Sequence, residues 1–209
     1  MNLKTKALVF ATYAHDGQSR KYNNLPYIHH PIRVAASLFL KENCTEEMYA
    51  AALLHDVMED CGVKYETLHD EFGKKVADLV FELTNVYSKA TDDFGNLLPR
   101  GKRKRLERER IANISKEAKL IKLADRLDNI IDMDVASNEG NDFFELYAKE
   151  TILLIKNALI DIDNEFEYSI LVECKFVLSK NDKEYFDIDC RLDELRANIL
   201  GSILKESDV

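Results

Sequence analysis

The segment Ala51-Ala52-Leu53-Leu54-His55-Asp56-Val57-Met58-Glu59-Asp60 places four ionisable side chains at the end of an apolar run that begins at Met48. On a helix of about 3.6 residues per turn, His55 and Asp56 point about 100° apart, so both can lean toward one ion. Glu59 and Asp60 repeat those two directions four residues on. Burying unpaired charge is costly, so four such groups against so apolar a stretch mark where chemistry is expected.

Working outward, the rest of the chain also reads as helices. Its 209 residues suit one domain with a small appendage, and 46% hydrophobic content with only three prolines and seven glycines favours a helical globular protein. Ala7, Phe10, Ala11 and Ala14 mark one face of a first helix that His15-Asp16-Gly17 should end, before a polar loop over residues 18–24. Pro31 suits the first position of a second helix carrying Val34, Ala35 and Leu38. Thr45 can cap a third, the one that holds the cluster, with Glu46 and Glu47 in its first turn. Helices over residues 67–72 and 74–84 flank Gly73, and residues 88–101, polar and with Gly and Pro, read as a mobile loop. Residues 100–110 open a further helix, and Ser115 starts a long one through Leu120, Ile121, Leu123, Ala124 and Leu127. Residues 142–163 keep a strong helical period, residues 166–178 fit strand or helix, and residues 184–202 are helical again. The weak boundary near residue 164 divides a domain over residues 1–164 from an extension over residues 165–209 that should pack on it.

A formal charge of −9 argues against wide nucleic-acid binding. Met1-Asn2-Leu3-Lys4 has no apolar signal region, and nowhere do 18 uncharged apolar residues run together, so a cytoplasmic protein without membrane contact is expected. Cys44, Cys61, Cys174 and Cys190 are scattered without a CxxC pair and read as ordinary thiols. In residues 100–110, Arg103 with Glu107 and Arg105 with Glu109 have the spacing of a solvated, ion-paired helix face. The net positive charge of that run can also attract a polyphosphate.

A metal needs ligands from several elements, and the chain offers His30 directly before Pro31, His55, Asp56, and Asp125 in Lys122-Leu-Ala-Asp-Arg-Leu-Asp-Asn129. His29 competes with His30 for that role, and the position next to proline favours His30. His15 and His69 read as hydrogen-bonded structural residues, and Tyr13, Tyr27 and Tyr147 stay open between facing the pocket and the core, where aromatic residues at helical spacing more often lie. Two imidazoles and two carboxylates suit Mn²⁺, Fe²⁺ or Zn²⁺ better than Ca²⁺, which prefers oxygen ligands. Such an ion acidifies water and polarises a phosphoryl oxygen, so phosphate-ester hydrolysis is the natural reaction class.

His30, the His55-Asp56 doublet and Asp125, in that order, resemble the HD metal-dependent phosphohydrolase superfamily. Gly17-Gln-Ser-Arg-Lys21, Pro26-Tyr-Ile-His-His-Pro31, Ala51 to Asp60 and Ile121 to Asn129 further resemble the hydrolase domain of Rel/Spo-type guanosine polyphosphate pyrophosphohydrolases, over roughly residues 3–160. The resemblance implies an all-α HD-domain helical bundle with a short C-terminal extension. It implies one Mn²⁺ held by His30, His55, Asp56 and Asp125, and Glu59 and Asp60 as the catalytic pair that orients or activates water. The reaction it implies is removal of the 3′-pyrophosphate from (p)ppGpp. Arg20 and Lys21 match residues that pack on the base, and Asn129 matches one that binds the sugar, so a small nucleotide is the implied partner.

The chain departs from that pattern in three places. One extra residue separates Arg20-Lys21 from His30, Asp128 stands where the family usually has His, and Ile131-Asp132 replace a common Arg-Thr. No synthetase segment follows, as in a stand-alone small alarmone hydrolase. The departures leave two alternatives open: another nucleotide phosphohydrolase (5′-nucleotidase, triphosphohydrolase or NADPH phosphatase), and a non-catalytic nucleotide-sensing or partner-binding module that uses residues 165–209.

Overall fold

Asn2 opens the first helix by accepting the backbone N–H of Thr5 on its side-chain oxygen (2.8 Å), and α1 (Leu3–Ala14) then runs to His15, where Gly17 at φ +75° turns the chain. The computed structural model describes residues 1–21, 24–39, 41–136, 142–177 and 183–206. Residues 22–23 of the expected loop, and Leu178, lie outside the described residues. The following helices are α2 (His29–Phe39), α3 (Glu46–Leu54), α4 (Val57–Asp60), α5 (Tyr65–Phe72), α6 (Lys74–Leu83), α7 (Arg100–Ile111) and α8 (Lys116–Ala136). After them come α9 (Asp142–Leu154), a π-helical turn (Ile155–Leu159), α10 (Asn164–Val177) and α11 (Lys183–Glu206). Regular structure among the described residues is all helical, apart from isolated antiparallel bridges at Ser19–Pro26 and Thr91–Leu97.

Three local expectations need correction, and one left open, the third below, resolves to helix. First, α2 begins at His29, two residues before Pro31, so the proline sits within the first turn, where its missing N–H costs nothing. Second, the helix carrying the cluster is interrupted. Thr45 caps α3 by accepting the N–H of Met48 (3.2 Å), but the helix stops at Leu54, and His55-Asp56 form a turn before α4. The His55 ring contributes to that break: Nδ1 lies 2.7 Å from the carbonyl of Ala52, which residue 56 would take in a continuous helix. Third, residues 166–177 are helical, because their apolar positions Phe166, Ile170, Leu171 and Cys174 follow the helical period into the core. Fourth, Arg103 does not pair with Glu107. It donates to the carbonyls of Ser88 and Leu98 (2.6 and 3.0 Å), while Glu107 receives Arg110. Those bonds, with Leu98 N–H donating to Ala90 O, fasten the polar loop before α7 onto the helix it was expected to swing from.

One apolar core runs from Ala7 on α1 to Leu195 on α11. α1 packs on α3, and the buried side chains of α1 are alanines, as are Ala50, Ala51 and Ala52 on α3. Small side chains let helix axes approach closely. α2 packs on both α3 and α8, and α3 also touches α8, so two consecutive helices and a third far along the chain meet around one point. Leu38, Leu54, Leu123 and Ile130 are fully buried around them, and truncating such a side chain to alanine costs about 2–5 kcal/mol. α10 packs against α8, α9 and α11. Glu167 on α10 is fully buried and accepts both Nε (2.7 Å) and a terminal nitrogen (3.0 Å) of Arg191 on α11.

Candidate functional site

His30 in the first turn of α2, His55 and Asp56 in the turn between α3 and α4, and Asp125 midway along α8 converge where those helices meet. His30 Nε2 lies 3.2 Å from His55 Nε2, 3.2 Å from Asp125 Oδ1 and 3.6 Å from Asp56 Oδ2. His55 Nε2 lies 2.9 Å from Asp56 Oδ2 and 3.7 Å from Asp125 Oδ1. Donor atoms of His30, His55 and Asp56 all fall within 4.8 Å of one another, and Asp125 joins through the two imidazoles.

The far side of each ring tests whether this set fits a cation. His30 Nδ1 is 2.6 Å from Asp128 Oδ2, and His55 Nδ1 is 2.7 Å from Ala52 O; both acceptors require the ring to carry its proton on Nδ1. In the neutral rings the two Nε2 atoms turn lone pairs toward each other at 3.2 Å, an arrangement that calls for positive charge between them, either a proton or a cation. Second partners that fix the ring tautomer are the usual setting of metal-binding histidines. The electrostatics agree. Burial lowers the pKa of His55, but Asp56 and Asp125 outweigh it and push the ring up to about 10. Burial raises Asp125, yet Lys122 and the two imidazoles hold it well below the usual carboxylate range. A divalent ion meets the same demand for positive charge using all four donor atoms, so the residues present fit one.

Of the remaining expected site residues, Glu59 and Asp60 stand at the rim on α4. Each keeps an open side, while Glu59 also accepts the backbone N–H of Asn85 (3.1 Å). Partial burial, reinforced by the charge of Asp56, raises both carboxyls. Asn129 donates to Asp125 Oδ1 (2.6 Å). Arg20 is buried, with Nε on Asp132 (2.9 Å) and a terminal nitrogen on Asn129 (2.8 Å). Lys21 is exposed, its ammonium 5.3 Å from the centre of the Phe143 ring.

Several participants escaped the sequence reading. Tyr27, left open between pocket and core, donates its hydroxyl to Asp56 Oδ2 at 2.7 Å. Lys122, one turn before Asp125, pairs with its second oxygen at 2.8 Å. Arg126 is 8% exposed, lies 4.7 Å over the Tyr147 ring, and has an Nε with no hydrogen-bond partner. Lys104 sits close enough to Arg126 that burial and that neighbouring charge together lower its pKa to about 8. Arg100 forks onto Glu150 at 2.7 and 2.8 Å. Arg100 and Lys104 thus pair with Glu150 and Lys122 with Asp125, while Arg126 adds its charge beside Lys104. A buried guanidinium N–H left unpaired, beside a lysine that its cationic neighbours discourage from protonation, is what an anion-binding cradle looks like. The signal was present in sequence as Lys122 and Arg126 flanking Asp125 on a buried helix. A separate cavity of about 580 Å³, lined by Lys41, Met48, Lys116 and Asp163 among others, shares no residue with this site.

The comparisons with known proteins fall on the same region. A profile of the HD domain family matches residues 7–151. The guanosine-3′,5′-bis(diphosphate) 3′-pyrophosphohydrolase MESH1 of Drosophila melanogaster is 37% identical over 154 residues, 70% of this chain and 81% of that protein. Its Homo sapiens counterpart is 39% identical over 152 residues, 69% of this chain and 80% of that protein. A solved structure described as a metazoan ortholog of SpoT that hydrolyses ppGpp superposes with a TM-score of 0.61 at 29% identity, covering 95% of this chain and 96% of that one. No helix among the described residues is long and apolar enough to cross a membrane.

Proposed function

The chain belongs to the HD domain family and, within it, to the group of MESH1-type pyrophosphohydrolases, and on that premise we propose that it removes the 3′-pyrophosphate from guanosine polyphosphates such as (p)ppGpp, with Mn²⁺ as its metal. The observation that carries the reading is the pair of Nε2 atoms facing each other at 3.2 Å between two carboxylates, with a basic cradle alongside. His30, His55, Asp56 and Asp125 would hold the ion. When bound, it supplies acidified water and polarises a phosphoryl oxygen.

The chain's own groups provide the rest. Glu59 or Asp60 accepts the proton of the attacking water, and their raised carboxyl pKa values make them better bases than an ordinary surface carboxylate. Water adds to the phosphorus attached to the ribose 3′ oxygen, the P–O bond to that oxygen breaks, the 3′ oxygen departs and takes up the proton that the carboxylate accepted from the water, and pyrophosphate is released carrying the water's oxygen. Arg126, Lys104 and Lys122 stand where they can offset phosphate charge, in a setting dry enough to strengthen each contact. Lys21 lies at the open edge, and Asn129 next to Asp125, where base and sugar contacts would be made.

The decisive experiment strips the protein with a chelator, reloads it with Mn²⁺, and incubates it with ppGpp, ppApp, GTP, GMP and NADPH while identifying the products. Pyrophosphate from ppGpp, lost on chelation and restored by Mn²⁺, is expected. One observation favours a second reading, another nucleotide phosphohydrolase: the buried engagement of Arg20, a residue matched in the resembling family to base packing. Release of inorganic phosphate from GMP or NADPH with ppGpp left intact would select it.

A further inference from the structure

Arg20 does not stand alone in its burial. It belongs to a run of charge-assisted hydrogen bonds that starts at one end of the metal-fitting cluster and finishes at the other. His30 Nδ1 meets Asp128 Oδ2 at 2.6 Å. Asp128 takes a fork from Arg33, Nε to Oδ1 at 2.5 Å and a terminal nitrogen to Oδ2 at 2.9 Å. The same terminal nitrogen lies 2.8 Å from Asp132 Oδ2, and Arg20 Nε donates to that oxygen at 2.9 Å. Arg20 then reaches Asn129 Oδ1 at 2.8 Å, and Asn129 donates to Asp125 Oδ1 at 2.6 Å.

The geometry points to Arg20, Arg33, Asp128 and Asp132 as the positioning lattice of the metal centre, with Arg20 serving His30 and Asp125 rather than a nucleobase. Asp128 and Asp132 are one turn apart on α8, and both are nearly buried, at 9% and 8% exposure. Two carboxylates in that position require two cations, and Arg33 from α2 and Arg20 from the loop before it supply them. Asn129 has one amide face for Arg20 and the other for Asp125, so displacement of Arg20 frees the asparagine to turn and releases the oxygen it holds. Asp128 fixes His30 on the opposite side. These two aspartates are also among the positions where the chain departs from the pattern it resembles. A guanidinium that forks onto an acid and an amide is placed with little freedom left to follow a ligand.

This inference rests on the metal reading but not on the identity of the nucleotide, so its first test uses Mn²⁺ alone. Affinity of the chelator-stripped full chain for Mn²⁺ is measured by titration calorimetry for the wild type and for Asp128→Asn, Asp132→Asn, Arg20→Ala and Arg20→Lys. KM and kcat for ppGpp at saturating Mn²⁺ follow. Loss of Asp128 or Arg20 is expected to weaken Mn²⁺ binding by about 10- to 100-fold, the range for partners that orient metal ligands. Arg20→Lys should recover part of it through Asp132, and KM should stay near the wild-type value once metal is saturating. Where Arg20→Ala fails to fold, Asp132→Asn, which keeps size and polarity, carries the same expectation. Unchanged Mn²⁺ affinity in folded Asp128→Asn and Asp132→Asn overturns the lattice, as does an Arg20→Ala protein that binds Mn²⁺ normally but has a raised KM. A wild-type chain that binds no Mn²⁺ overturns the metal reading and this inference with it, whereas normal metal effects without ppGpp turnover overturn only the substrate.

Discussion

Because the four proposed ligands come from α2, the α3–α4 turn and α8, the site exists only in the folded chain, and a metal bound there would stabilise the fold. His30 and Asp125 are 95 positions apart, and the unfolded chain has no comparable cluster to offer. Free Mn²⁺ at a hundredfold excess over its dissociation constant contributes about 2.7 kcal/mol. For a chain of this length each kcal/mol moves the melting point by about 2–4 °C, so the expected rise is about 5–11 °C. The assay is a thermal melt of chelator-stripped protein, with and without Mn²⁺, for the wild type, His55→Ala and Asp125→Asn. Asp125→Asn should also melt lower without metal, since it leaves Lys122, 2.8 Å from the lost charge and only 15% exposed, without its anion. The comparison within each variant removes that baseline. A wild type whose melting point ignores Mn²⁺, or variants that keep the full rise, would refute the assignment of these residues as ligands.

Three other outcomes follow. Glu59→Gln and Asp60→Asn should lower kcat by about 10²- to 10⁴-fold while calorimetry finds Mn²⁺ affinity intact; full turnover in both would remove them from proton transfer. Lys104, with its pKa lowered to about 8 by burial and by Arg126, is charged at neutral pH and loses its charge as pH passes that value. KM for ppGpp should therefore rise from pH 7 to 9, and Lys104→Arg, which stays protonated, should flatten the profile. Folding responds with the opposite sign, since the folded protein sheds this proton before the unfolded lysine does, at about 10.4, so the group makes stability rise with pH between the two. A wild-type KM that is level across that range would take Lys104 out of the cradle. Glu167→Ala removes the fully buried partner of Arg191, which keeps Asp161 and Glu194, and should cost about 1.5–3 kcal/mol, or roughly 3–12 °C of melting temperature. An unchanged melting curve would show that α10 and α11 are not held through that pair.

The helices were legible because each buries one stripe: Val34, Ala35 and Leu38 on α2, and Val76, Leu79, Val80 and Leu83 on α6, have the spacing that a 3.6-residue period demands. Residues 166–177 were not, since a dense apolar segment fits either period until its neighbours α8, α9 and α11 fix the burial pattern. His30, His55, Asp56 and Asp125, expected from sequence as one ligand set, are brought together by the fold. What stayed hidden was everything reached across the fold. Tyr27 looks like core until Asp56 stands 2.7 Å from its hydroxyl, and Arg110 takes the Glu107 that spacing alone assigned to Arg103. Asp128 and Asp132 were visible as departures, but their partners Arg33 and Arg20 lie about a hundred residues away in sequence, and no local period connects them.

The distribution of charge carries the argument one step further. With a net charge of −9, the chain as a whole repels a polyanion, yet Arg100, Lys104, Lys122 and Arg126 gather beside the metal-fitting cluster. A long nucleic acid must pass over the acidic surface as well as the cradle, and the repulsion grows with every phosphate left outside. A mononucleotide carrying several phosphates needs only the cradle and avoids the rest. Selectivity for small polyphosphates is therefore expected from the contrast between pocket and surface, and raising the salt concentration should erode it. With Debye screening at about 10 Å in 0.1 M salt and about 3 Å in 1 M, KM for ppGpp should climb with ionic strength while kcat holds. A KM indifferent to salt would place the recognition in base and sugar contacts instead, and would make the four cations a matter of folding alone.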